Sequence, residues 1–363
     1  MNKNKENNMI NIKKVGLTAL AGSLAAVTAQ AGELSVTGSA NVTYVTKSGG
    51  NTAQTLGNDK DVKFSGSGEL DNGYTFNIFT LSKDDLTVSS TGTILNMGSL
   101  GTIGLGTGGG TNVNGAYDEP IPTAYEENSD AGGQAPANYI GSTTDDNALV
   151  YKMPAMDIMG ATINAGVEYS FQDGSATAND GGATARSANV GNSYGLGVTV
   201  AYDALSIGAY VSEVENKNHA ANKDAHDAFG GNWNVKYSAG PVSIGYSEFY
   251  LDMGVTSTVG TEGATTSVKT IGTASGIFDG DMMSIAFNVN DDLSLSYSEM
   301  TATHDFQEAT QTSDVDEKHE SLQLAYSMGA MSVKAYTTEI TNANFKEDAE
   351  TVTKNEIAIG LAF

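Results

Sequence analysis

Beyond residue 33 the chain alternates apolar and polar residues with a period of two, segment after segment. That alternation limits the fold more than any other feature. In residues 34–44, Leu34, Val36, Ala40, Val42 and Tyr44 alternate with Ser35, Thr37, Ser39, Asn41 and Thr43. In 161–171, Ala161, Ile163, Ala165, Val167, Tyr169 and Phe171 alternate with Thr162, Asn164, Gly166, Glu168 and Ser170. The same rhythm returns at Tyr194–Tyr202, Leu205–Val211 and Leu322–Tyr326, and last at Ile357, Ile359, Leu361 and Phe363. None of these apolar stripes contains a charge. A period of two belongs to strands with two unlike faces. After residue 31 no segment approaches the ~18 consecutive apolar residues of a membrane-crossing helix.

The first 31 residues read as a secretory signal peptide. Lys3, Lys5, Lys13 and Lys14 form the basic region, Val15–Val27 the apolar region, and Ala29-Gln30-Ala31 the cleavage site; Met9 would serve equally as a start. The mature chain, 32–363, then carries 14 basic and 42 acidic residues. That acidity argues against nucleic acid as a partner. Without cysteine there is no disulfide, thiolate metal site or thiol nucleophile. An exported chain of this kind is either a soluble sandwich or adhesin, or a closed transmembrane barrel.

The connections separate these readings. Sixteen strands are expected near 34–46, 60–70, 74–82, 86–97, 100–106, 147–153, 159–171, 192–202, 205–215, 230–238, 241–252, 281–290, 293–304, 318–328, 331–341 and 353–363. A weak further strand is expected in 266–278. Short links such as Asp71-Asn72-Gly73, Asp203-Ala204, Ala239-Gly240 and Gly329-Ala330 have hairpin chemistry. They alternate with links at 47–59, 83–85, 107–146, 172–191, 216–229, 253–280, 305–317 and 342–352, all but the second of them long. Long loops on one end and tight turns on the other describe an all-β, closed antiparallel outer-membrane barrel with its turns in the periplasm. A sandwich has no reason to segregate them. About sixteen strands leave a watery lumen, which small polar inner faces suit. Tyr44, Tyr169, Phe171, Tyr202 and Tyr237 are placed for aromatic girdles.

At this point the chain resembles the sixteen-stranded trimeric porins of Gram-negative bacteria over its whole mature length. The resemblance rests on GELSVTGSANVTY (32–44), VKFSGSGELDNGYTFN (62–77), LGTIGLGT (100–107) and the terminal EIAIGLAF. It implies a homotrimer in the outer membrane that passes small hydrophilic solutes and ions, with no enzymatic activity. It further implies contact with lipopolysaccharide, and a C-terminal strand (Ile357, Ile359, Leu361, Phe363) read by the barrel assembly machinery. The third long loop, 107–146, would fold inward and set its acids against basic residues on the wall. Its acids include Asp118, Glu119, Glu126, Glu127 and Asp130, and it has no Lys or Arg. Lys63, Lys152, Lys236, Lys334 and Lys354 fall on the lumen side of their strands by phase. Arg186 is the one arginine, so an arginine ladder is absent. Carboxylates at a constriction favour cations, and cation selectivity is the expectation. A channel selective for one nutrient class is the nearest alternative.

Other motifs carry less. Gly104–Gly109 satisfies G-x-G-x-x-G, but no helix can open at TNVNGAYDEPIP, as a dinucleotide site requires. His219, His226, His304 and His319 have no zinc-site spacing. No cofactor is expected. Calcium at Asp314, Asp316, Glu317 and Glu320, or at Asp145-Asp146, is the one exception the loop acids allow.

Overall fold

The computed structural model describes residues 32–50, 52–84, 86–107, 111–133, 140, 148–171, 190–216, 226–252, 254, 276–305 and 314–363. The expected signal peptide, Asp145-Asp146, Arg186 and His219 lie outside them, as does most of the weak strand expected in 266–278.

Sixteen antiparallel strands close into a barrel. They are β1 (Leu34–Ser48), β2 (Ala53–Glu69), β3 (Thr75–Ser82), β4 (Val88–Asn96) and β5 (Thr102–Thr107). β6 (Ala148–Lys152) resumes beyond Pro154 as Met156–Ile158, both halves pairing with β7 (Ala161–Ser170). There follow β8 (Val190–Tyr202), β9 (Leu205–Asn216), β10 (Ala228–Ala239), β11 (Val242–Asp252) and β12 (Ile277–Asn288). The last are β13 (Leu293–Asp305), β14 (Val315–Met328), β15 (Met331–Thr341) and β16 (Val352–Ala362). Each strand pairs with the next, and β1 pairs with β16 from Ser39↔Ala362 to Ser48↔Thr353. Closure leaves no open edge, the condition for crossing a bilayer with strands.

Two connections differ from expectation. The short link expected at Pro154–Ile158 has its turn at Met159-Gly160 instead, Met156–Ile158 being strand. The first long link is also changed. β2 begins at Ala53 and pairs there with Lys47, so the long link expected at 47–59 is a tight turn through Gly49 and Gly50, both at positive φ. Residues 53–59 lie beside the outward stripe of β1, with Leu56 opposite Tyr44 and Asn58 opposite Val42. Polar Asn58 and Lys60 take the outward phase between Leu56 and Val62, so no hydrophobic period marks the segment.

Outward faces carry the apolar stripes, with Ile357 and Leu361 more than half exposed. Tyr202 and Tyr237 lie near the short-turn rim. At the opposite rim Tyr169 packs edge-on against Phe171 with centroids 4.6 Å apart. On β13, β14 and β15 the belt ends at Glu299, Glu320 and Glu339, which face one another across consecutive strands. Tyr297 beneath them donates its hydroxyl to Glu299 at 2.6 Å.

The inward faces are not uniformly small and polar. Phe249 and Leu251 on β11, Phe278 and Met282 on β12, and Met300 and Ala302 on β13 point inward and are buried. They form one cluster with Val113, Tyr117 and Ile121 from the third connection and Phe345 from the last. The barrel therefore has an apolar core inside its lumen. Burial of this kind contributes about 25 cal/mol per Å² of apolar surface.

Candidate functional site

Residues 111–133 of the third connection lie along the inner wall, held by inward-facing polar side chains from β7 to β16. Glu168 on β7 is buried; it accepts the backbone N–H groups of Val113 and Asn114 and the Tyr210 hydroxyl at 2.6 Å. Tyr117 stacks on Tyr210 at 5.5 Å, meets the Thr199 hydroxyl at 2.9 Å, and takes the Asn232 amide on its carbonyl. Further round, the Ser296 hydroxyl oxygen accepts from Ala124 N–H at 2.8 Å. The Gln323 side chain accepts from Tyr125 and Glu126 N–H at 2.9 and 3.0 Å and donates to the Glu126 carbonyl at 2.7 Å. The Tyr125 hydroxyl donates to Glu356 on β16 at 2.8 Å.

A second anchor joins two connections. The Ser298 hydroxyl donates to the Asn128 side-chain oxygen at 2.6 Å. His319 Nδ1 donates to the Asn128 carbonyl at 3.0 Å, and its Nε2 meets Glu317 Oε1 at 2.9 Å, both side chains being wholly buried. The other Glu317 oxygen accepts the Asn344 N–H from the last connection. There Phe345, at φ 53°, packs against the stacked Phe278–His304 pair. One buried His–Glu pair thus pins the third and eighth long connections to β14.

Glycines make room for the inner loop. A Cβ at Gly197 would lie 2.5 Å from the Tyr117 ring, and one at Gly245 2.4 Å from Pro122. Real Cβ contacts do not come that close, so these two glycines leave the space that the Tyr117 and Pro122 rings occupy. Gly197→Val is expected to push the loop off its seat at about 1–3 kcal/mol of overpacking strain. A lowered single-channel conductance would register it; conductance and melting equal to the parent would contradict this seating.

The loop acids gather in one place. Glu119 is buried and accepts the Asn128 N–H at 2.7 Å, and Asp118 accepts the Glu119 N–H at 3.0 Å. Burial and a carboxyl–carboxyl hydrogen bond with Asp130 push Glu126 up to about 7. Burial, with the charges of Asp118, Glu119, Asp130 and Glu126, pushes Glu127 up to about 8. The other four expected acids therefore all lie within electrostatic reach of Glu127.

The five wall lysines are on inward phases but do not form one facing row. Lys334 sits 4.9 Å over the Tyr125 ring, while Lys354 lies 5.4 Å over Tyr336 and donates to the Asp130 carbonyl at 2.7 Å. These two meet the acidic segment. Lys152 lies beside Glu168 at the other end of the loop, Lys63 stacks 4.2 Å over Phe79, and Lys236 stands apart on β10. Sequence reasoning missed Glu168, Gln323, the Glu317–His319 pair and Glu356. Each is a polar residue in lumen phase, but phase alone does not say which loop atom it meets.

The expected calcium run divides between two faces. Glu317 points inward to His319, whereas Asp316 takes the Thr303 hydroxyl at 2.9 Å on the outer face and Glu320 lies beside Tyr297. Alternation along β14 separates what sequence places side by side. Among the described residues no three His, Asp or Glu side chains converge as metal ligands. His226 meets Asp252 at 2.8 Å.

Comparison with known proteins places this architecture. The model of a family described as Gram-negative porin matches residues 16–355. No curated protein matches the chain. Salmonella typhi OmpF, solved with daunomycin, is similar with a TM-score of 0.66 and 14% identity over 92% of this chain and 98% of its own. An anion-selective porin from Comamonas acidovorans gives 0.60 and 13% over 91% and 99%. The outer membrane channel DcaP of Acinetobacter baumannii gives 0.59 and 10% over 92% and 98%. At such identities these likenesses concern the fold, and an anion-selective relative means that the fold does not choose the sign of the ion.

Proposed function

The chain belongs to the Gram-negative porin family, and on that premise we propose that residues 107–146 form a cation-selecting constriction in its lumen. The protein is an outer-membrane channel for small solutes, in a family and fold of channels rather than enzymes. Solutes cross by diffusion through water, and the loop acids set which charges pass. The observation that carries this reading is the gathering of Asp118, Glu119, Glu126, Glu127 and Asp130 on the seated loop. The nearby Lys334 and Lys354 spend their ammonium groups on aromatic rings and a backbone carbonyl. Both ammonium groups keep their charge, and it is the excess of five acids over two lysines that leaves a negative field for passing cations. Lys63, Lys152 and Lys236 complete a dispersed basic wall. Residues 1–31 direct export, the terminal strand addresses the assembly machinery, and the channel works as a homotrimer among lipopolysaccharide.

Reversal potential under a potassium chloride gradient tests the sign. A cation passing a carboxylate at about 8 Å through water gains about 0.5 kcal/mol, a factor of about 2.4 each, so two give about sixfold. Glu126 and Glu127 hold protons below about 7 and about 8 respectively and release them above. The filter therefore gains negative charge, and cation preference rises, between about pH 6 and pH 9. Glu126→Gln/Glu127→Gln is expected to lower the cation preference about sixfold at the alkaline end and flatten the pH profile. Anion preference in the parent, or a pH profile unchanged in the double variant, would overturn the assignment.

A further inference from the structure

A cleft of about 410 Å³ opens at the long-loop rim, between the end of the inner loop, the last connection, β16 and the first turn. Its floor is apolar: Ala131, Ile340, Ala343 and Val352, with Ile340 and Val352 buried. Its mouth is charged, with Lys47, Lys346 and Glu350.

These charges are unusual for this chain. Lys47 and Lys354 occupy directly opposite positions on β1 and β16, and facing like charges are unfavourable. Lys354 is engaged by Asp130 and Tyr336. Lys47 and Lys346 form no ion pair among the described residues, although the mature chain has three acids for each base. Glu350 is fixed by accepting Gly50 N–H on one oxygen at 3.0 Å, leaving the other oxygen for a ligand. Two cations with no ion pair among the described residues, one oriented carboxylate and an apolar floor complement a molecule with a carboxylate, an ammonium and an apolar body. The volume lies within the range of small-ligand sites.

We propose that this cleft binds an α-amino acid with an apolar side chain. Lys47 and Lys346 hold its carboxylate, Glu350 its ammonium, and Ile340, Ala343 and Val352 its side chain. This rests on the reading of the chain as a solute channel and adds a residence site beside the filter. A zwitterion has no net charge for the acidic loop to repel, so capture here is compatible with passage beyond.

Calorimetry on the purified full barrel, with leucine, glycine and 4-methylpentanoate as probes, tests the proposal alongside potassium chloride conductance of the same preparation. Leucine is expected to bind at least tenfold tighter than glycine, which lacks the side chain, and than 4-methylpentanoate, which lacks the ammonium. Lys47→Ala/Lys346→Ala should lose leucine binding at least tenfold, and Glu350→Gln should weaken leucine but not 4-methylpentanoate. All variants should keep parental conductance steps. Equal binding of leucine and glycine, equal binding of leucine and the acid, or unchanged affinity in the lysine variant overturns the site while the steps keep the channel. A parent without conductance steps would instead overturn the channel reading on which the site depends.

Discussion

A chain lacking β16, Val352–Ala362, and the terminal Phe363 is expected to give no heat-modifiable barrel at all. Without that strand the lumen has two open edges. Ser39–Ser48 of β1 and Met331–Ile340 of β15 both lose their hydrogen-bonding partners. Each orphaned N–H or C=O in hydrocarbon costs several kcal/mol. Total stability is only about 5–15 kcal/mol, so a handful of such groups exceeds it. The last residue is part of the seam: Phe363 N–H donates to the Gly38 carbonyl and Gly38 N–H to the Phe363 carbonyl, both at 3.0 Å. Its ring lies where a Cβ on Gly38 would come within 2.4 Å. Refolding into detergent, followed by electrophoresis with and without heating, reads the outcome. A truncated chain with the parental mobility shift would refute closure through β16. Phe363→Ala keeps the backbone seam and is expected to refold in detergent yet assemble poorly in cells, separating seam from address.

His319→Ala is expected to destabilise the loop seating by about 3–5 kcal/mol, the usual penalty for leaving a buried charge without its partner. Glu317 and His319 are wholly buried and jointly bind the Asn128 carbonyl and the Asn344 N–H. Removing the imidazole strands a carboxylate and a carbonyl together, so residues 125–131 and 342–348 should loosen in concert. Single-channel recordings should gain open-channel noise, and the gel-shift temperature should fall. A Glu317→Leu/His319→Leu chain, with neither charge to strand, is expected to be less impaired than His319→Ala. If His319→Ala keeps quiet, parental channels, this pair does not hold the loops.

The strands were legible because period two is written locally, and wherever one face meets lipid the stripe survives inspection. It fades at residues 53–59, where Asn58 and Lys60 interrupt the outward phase, so the start of β2 carries no apolar stripe. Phase also put Lys63, Lys152, Lys236, Lys334 and Lys354 inside. The seating of the loop was not legible, because its bonds join residues far apart in the chain: Tyr125 to Glu356, Ala124 to Ser296, Val113 to Glu168. Two signals were nevertheless present. Inward phases occupied by Phe249, Phe278, Met282 and Met300 make no sense against water and imply a covering segment. Inward glycines on β7, β8 and β11, namely Gly166, Gly197 and Gly245, imply that the cover comes close. In the run Asp314, Asp316, Glu317 and Glu320, sequence neighbours are parted because adjacent strand residues lie on opposite faces.

The glycine floor beneath the loop also constrains how such a channel can diverge. Gly197 and Gly245 already present the smallest possible surface to Tyr117 and Pro122, so every substitution at these wall positions displaces the loop toward the barrel axis. Lineages can therefore narrow the aperture by single changes in the wall. At these two positions no residue is smaller than glycine, so a wider aperture has to come from elsewhere, such as smaller side chains on the loop itself.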